Sequence, residues 1–201
     1  MTLRNIIFDF GGVLIDWNPR HLYKGYFKSD EQMEYFLNNI CTNQWNGETD
    51  RGRPFRESIS ILQAQYPEYR DAIQLYMDGW TTMIKGAISP TVEILKALKA
   101  KEYHLYGLTN WSAETFPYAY NRFEFLHILE GIVVSGEEKL LKPDPAIYNR
   151  LIERYHLKPE ESLFIDDNNV NVEAAAALGM KGIHFTGAEE LLNQLSLLKV
   201  L

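Results

Sequence analysis

The sequence predicts an α/β fold, with a Rossmann-like, mainly parallel sheet core and an inserted α-helical cap domain. Three observations lead there. Short apolar runs at 3–9, 104–108, 131–135 and 162–165 have the length and β-branched content of buried strands. From residue 89 onward such runs alternate with segments of helical spacing, the pattern of a parallel sheet covered on both faces. Between them, 18–88 is aromatic, charged, mostly helical in pattern and nearly free of strand-like runs. The expected organisation is a core from 1–17 and 89–201, and a helical cap from 18–88.

Taken in order, the run at 3–9 ends in Asp9, and Gly11-Gly12 marks a tight turn. The stretches 56–62 and 71–77 have helical spacing within the insert. After Pro90, 92–98 suits a helix, 104–108 and 131–135 suit strands, and 146–156 suits a helix. The strand at 162–165 runs into Asp166-Asp167. An alanine-rich helix at 172–178 meets Gly179 as its stop, and 181–185 and 188–198 read as a last strand and helix.

The chain has 201 residues, 46% of them hydrophobic, enough for one sizeable core with a smaller inserted lobe. A net charge of −7 argues against general nucleic-acid binding and against an anionic membrane surface. Cys41 is the single cysteine, so no intrachain disulfide can form. No segment approaches the roughly 18 consecutive apolar residues of a membrane helix, and the N-terminus lacks a secretory pattern. A cytoplasmic protein acting on a small molecule is expected, as a monomer or homodimer.

In parallel sheets, ligands bind outside the carboxyl ends of the strands. Polar residues stand at three such ends. Asp9 suits a nucleophile or a metal ligand, though an Asp opening a turn is equally compatible with its position. Asp166-Asp167 is a pair whose repulsion a hard cation would relieve; a helix cap explains one of these acids but not both. Thr109-Asn110 offers a hydroxyl and a backbone amide to phosphate oxygens, yet Thr-Asn also begins many ordinary turns. Lys142 lies in Leu140-Leu141-Lys142-Pro143-Asp144-Pro145, where prolines stiffen the backbone; taken alone it reads as a solvated lysine.

Together and in this order, these sites resemble the haloacid dehalogenase (HAD) superfamily. The matching motifs are Phe8-Asp9-Phe10-Gly11-Gly12-Val13-Leu14, Leu108-Thr109-Asn110, Lys142-Pro143-Asp144-Pro145-Ala146-Ile147-Tyr148 and Phe164-Ile165-Asp166-Asp167-Asn168. The insert resembles the family's small cap. The resemblance implies Asp9 as nucleophile, and Thr109 and the Asn110 amide as holders of the transferring group. It implies Lys142 as charge stabiliser, with Mg²⁺ held by Asp9, the Gly11 carbonyl, Asp166 and Asp167. Asn171 falls where many relatives place a further acid.

One departure stands out. Typical phosphatases of this family carry a second Asp two residues after the nucleophile as general acid and base, though some of its sugar-phosphate phosphatases lack it, and here that position is Gly11. Either the leaving group is good, or another residue supplies the proton, with Asp16 and Asp50 as candidates, or the reaction is not phosphate hydrolysis. Haloacid dehalogenases also lack that Asp, since halide leaves without a proton, but they lack the doubled acid of the last motif too. The sequence therefore favours a Mg²⁺-dependent phosphatase of a small phosphorylated metabolite, such as a sugar phosphate. A metal-independent dehalogenase and a catalytically weak binding or regulatory relative are the alternatives.

In the insert, 45–55 reads as a polar loop bearing Arg51 and Arg53, with Arg51 a candidate substrate contact. An exposed interhelical turn fits the same residues. Trp111 and Ser112 are expected to line the pocket. Tyr23, Tyr26, Phe27 and Phe36 are expected to pack the lobe, and Cys41 to fill its core. The five histidines show no zinc-like spacing.

Overall fold

A computed structural model describes residues 2–201. Strand β1 (Asn5–Phe8) leads through a tight turn to β2 (Ile15–Trp17) and a helical stretch: α1 (Arg20–Tyr23), α2 (Asp30–Asn39), α3 (Asn43–Asp50), α4 (Phe55–Gln65) and α5 (Arg70–Asp78). Next come β3 (Ile84–Ala87), α6 (Ser89–Ala100), β4 (His104–Thr109), α7 (Phe116–Arg122), β5 (Gly131–Val134) and α8 (Ser135–Glu138). The chain ends with α9 (Pro145–Tyr155), β6 (Ser162–Asp166), α10 (Asn169–Ala177), β7 (Lys181–His184) and α11 (Ala188–Leu197).

The main sheet has five strands in the order β5-β4-β1-β6-β7, and every neighbouring pair is parallel. Central β1 is buried along its whole length. Ile6 and Phe8 enter one hydrophobic cluster, and Ile7 enters a second one with Ile147, Leu151 and Phe164. Burial on both faces is why this strand reads as an unbroken apolar run. The chain crosses from β1 to β4 on one side and reaches β6 on the other. The crevice at this reversal, outside the carboxyl ends of β1, β4 and β6, is where such sheets bind ligands.

Two local features depart from the sequence reading. Ile84–Ala87 forms a strand within the stretch read as helical, pairing antiparallel with Ile15–Trp17 in a separate two-stranded ribbon. The ribbon joins the ends of the helical insert to the core. The segment 45–55 is not a single polar loop: Asn43–Asp50 is helical, and only 51–54 connects it to α4. Thr42 caps that helix, its hydroxyl accepting from the Trp45 amide at 3.1 Å. The Trp45 indole donates to the Ser58 carbonyl, which fixes α3 on α4.

Within the insert, Tyr23 and Phe36 are fully buried with ring centroids 4.9 Å apart. Cys41 is buried among them, whereas Tyr26 is largely exposed and packs only by its edge. Among the described residues, no helix is long and apolar enough to cross a membrane.

Candidate active site

The parallel register brings the ends of β1, β4 and β6 side by side. Asp9 is the residue after β1, and its amide donates to the Ile165 carbonyl at 2.9 Å, so its backbone is held by β6. Its carboxylate accepts from the Phe10 amide at 2.7 Å.

Lys142 reaches this edge from the loop before α9 and is fully buried. Its ammonium donates to the Leu108 carbonyl at 2.9 Å and to Asp166 Oδ2 at 2.6 Å, and lies 2.9 Å from Asp9 Oδ1. Three partners use all three ammonium hydrogens. Its backbone is clamped by Asn110, whose Oδ1 accepts from the Lys142 amide at 2.8 Å while its Nδ2 donates to the Lys142 carbonyl at 3.0 Å. The Asn110 side chain therefore positions Lys142.

The two acids after β6 differ. Asp166 is completely buried, and besides Lys142 it accepts from the Asn168 amide and the Asn171 side chain. Asp167 is exposed. The N-cap of α10 is filled by Asn168, whose side chain accepts from the Val170 amide, so neither acid is consumed by capping.

One carboxylate oxygen from each of Asp9, Asp166 and Asp167 lies within 4.8 Å of the others. Three carboxylates face one ammonium, a charge excess that a dication would neutralise. An all-oxygen donor set with few carboxylates fits the hard cation Mg²⁺. Burial raises Asp9 above the usual carboxylate range; Lys142 opposes this, and Asp166 and Asp167 add to it. Partial desolvation raises exposed Asp167 as well, with Asp166 adding to the shift. Burial disfavours the charge on Lys142, yet the Asp9 and Asp166 carboxylates outweigh it and raise its pKa.

Two features mark the site as built for a ligand. The Thr109 hydroxyl is buried and has no hydrogen-bond partner among the described residues, a state that costs about 1–3 kcal/mol unless something pairs with it. A cavity of about 50 Å³ opens beside the strand ends. Gly11 and Asn110 line it from the core, Asn46 and Asp50 from α3, and the rings of Trp17, Trp80 and Trp111 wall it. The Trp80 and Trp111 centroids are 5.9 Å apart, joining insert to core.

Other residues singled out in the sequence lie elsewhere. Arg51 is exposed at the end of α3 and does not line the cavity. Ser112 is buried, and its hydroxyl accepts from the Glu114 amide. Asp16 is paired with His21 at 2.9 Å on the ribbon. Trp17 and Trp80 escaped the sequence reading, since nothing local distinguishes them from packing residues; Asn46 lies within the 45–55 stretch read as a substrate-facing segment but was not singled out there.

Gly12 has a φ of +75°, and a Cβ there would overlap the Asp167 carboxylate. Gly12→Ala is therefore expected to displace Asp167 and to add roughly 1–2 kcal/mol of backbone strain. Mg²⁺ titration by calorimetry should show weakened binding together with a lowered melting temperature; unchanged Mg²⁺ affinity would contradict this account.

These features define a class: an α/β enzyme whose buried carboxylate, fixed lysine and acidic pair meet at the carboxyl edge of a parallel sheet. The sequence profile of haloacid dehalogenase-like hydrolases matches residues 6–185, and the chain belongs to that family. It is 27% identical over 192 residues to the sesquiterpene phosphatase astK of Aspergillus oryzae, covering 92% of this chain and 91% of the relative. It is 23% identical over 192 residues to a D-ribitol-5-phosphate phosphatase of Bacteroides thetaiotaomicron, covering 89% of this chain and 90% of that one. The crystal structure of a HAD family enzyme from Bacteroides thetaiotaomicron, a magnesium complex, superposes with a TM-score of 0.69 at 20% identity, covering 91% and 93% of the two chains.

Proposed function

We propose that the chain is a Mg²⁺-dependent phosphatase of a small phosphorylated metabolite, working through a phosphoryl group carried on Asp9. The observation that carries this reading is the excess of carboxylate around Asp9 and Lys142, beside an unpaired Thr109 hydroxyl. The phosphatase relatives support it.

In this reading the Asp9 oxygen attacks phosphorus and the bond to the leaving oxygen breaks. Water then attacks the phosphoryl group and frees Asp9. Thr109 Oγ and the Asn110 amide hold phosphoryl oxygens. Lys142 acts through Asp9, keeping it anionic and aimed, because all three of its hydrogens are already directed at protein oxygens. Asp9, Asp167 and the Gly11 carbonyl would hold Mg²⁺. Asp166 contributes chiefly by fixing Lys142, its two oxygens being committed to Lys142, Asn168 and Asn171. Mg²⁺, when bound, supplies charge neutralisation at the phosphoryl group. Positioning and electrostatics supply most of the rate in such transfers. The core 1–17 and 89–201 would carry the chemistry, with 18–88 as a cap that shuts out water.

The test is hydrolysis of an aryl phosphate by the full chain with and without Mg²⁺. Turnover is expected to vanish on chelation and to return with Mg²⁺. A second reading, a metal-independent dehalogenase, is favoured by the bare Gly11 and the tryptophan-walled cavity. Halide release undisturbed by chelator, with no phosphate release, would establish it and end the phosphatase reading.

A further inference from the structure

We infer that Asp50, on the inserted lobe, is the general acid and base of this site, supplying the proton that Gly11 cannot. The inference rests on the phosphatase reading above.

The position two residues after Asp9 has no side chain, and the space beside it is open, since a Cβ on Gly11 would meet nothing within 4 Å. That space belongs to the cavity that Asp50 lines from the opposite side. The two acids proposed from sequence are thereby separated. Asp16 is half exposed and tied to His21, whereas Asp50 faces the cavity that Gly11 and Asn110 also line.

Asp50 is held there with care. Asn46 Nδ2 donates to its Oδ2 at 2.8 Å, and Tyr76 in turn donates to Asn46 Oδ1 at 3.0 Å. The Asp50 carbonyl accepts from the Ser135 hydroxyl at 2.6 Å, pinning the end of α3 to the core beside Trp111. Across the adjoining turn, the Phe55 amide donates to Glu114 of the core at 2.8 Å. Asp50 is thus tied to both lobes, its carboxyl by Asn46 of the insert and its backbone carbonyl by Ser135 of the core. Among the described residues no cation pairs with Asp50. Burial lifts its carboxyl to about 7, the Ser112 amide opposing and Asp9 adding, so it holds a proton near neutral pH.

The proton balance closes. As Asp9 attacks phosphorus, the bond to the leaving oxygen breaks, its electron pair stays on that oxygen, and the Asp50 proton follows. Asp50, now a carboxylate, takes a proton from water as that water attacks phosphorus. The bond to Asp9 breaks, leaving inorganic phosphate, a free Asp9 carboxylate and a reprotonated Asp50.

The experiment compares wild type with Asp50→Asn on two phosphates, a nitrophenyl ester whose leaving anion needs little proton and an alkyl ester whose leaving oxygen needs one. Asparagine preserves the shape and the acceptor for Asn46, and melting curves check that the variant is folded. Loss of general acid help is expected to lower kcat/KM, which reports the transfer to Asp9, by about 10²–10⁴-fold with the alkyl ester and by less than about tenfold with the aryl ester, while loss of the base slows the later release of phosphate from Asp9 for both esters alike. An equal loss of kcat/KM on both esters, or no loss of kcat/KM on the alkyl ester, would overturn the role of Asp50 and leave the phosphatase reading standing. Wild type inert toward both esters would overturn that reading, and this inference with it.

Discussion

Asp9→Asn is expected to lower turnover of an aryl phosphate by roughly 10⁴-fold or more, since removing a covalent nucleophile removes the reaction path rather than one stabilising contact. The substitution is nearly isosteric. Its amide oxygen can still accept from the Phe10 amide, as Asp9 Oδ1 does at 2.7 Å. What disappears is the negative charge on that same Oδ1, which Lys142 holds at 2.9 Å, and with it the second carboxylate oxygen, which becomes an amide nitrogen. The fold has little reason to suffer, because loss of the Lys142 pairing is offset by relief of repulsion from Asp166 and Asp167. Activity should collapse while the melting curve moves by only a few degrees. A folded variant that keeps a tenth of the activity would show that Asp9 is not the nucleophile.

Lys142→Met is expected to damage stability as well as rate. Lys142 is fully buried between Asp9 and Asp166. Methionine fills much of the same volume but leaves two buried carboxylates without a counter-charge. Removing one partner of a buried ion pair costs about 3–5 kcal/mol. For a chain of this size that corresponds to a melting temperature lower by roughly 6–20 °C. The Leu108 carbonyl also loses its 2.9 Å donor. Saturating Mg²⁺ should narrow the gap to wild type, because a dication replaces part of the missing positive charge. Thermal melts of both proteins with and without Mg²⁺ check this; a variant as stable as wild type without the metal would show that the burial of Lys142 carries no electrostatic load.

The core was legible in the sequence because its strands are buried on both faces. β1, β4 and β6 read as unbroken apolar runs, and their polar ends Asp9, Thr109 and Asp166-Asp167 stood out against them. The ribbon of β2 and β3 was not legible. Each strand is only three or four residues long, and each exists by pairing with a partner some seventy residues away. Helix α3 was hidden for a different reason. Asn46, Gly47, Thr49 and Asp50 are poor helix formers, and beside the Thr42 cap what holds them helical is tertiary, through Ser58, Tyr76 and Ser135. The same docking turns Asp50 toward the cavity and Arg51 away from it, a distinction that no local pattern encodes. Lys142 was legible as a residue, but its geometry was not, because its partners come from three different strands.

A phosphatase of this kind carries its phosphoryl group covalently on Asp9 during turnover. The most direct measurement is mass spectrometry of the peptide containing Asp9, from protein mixed with an aryl phosphate and Mg²⁺ and quenched in acid during turnover. A phosphoryl mass increment is expected on that peptide, absent in Asp9→Asn and absent when Mg²⁺ is withheld. Steady turnover with no increment on Asp9 at any quench time, or the increment on another residue, would contradict it.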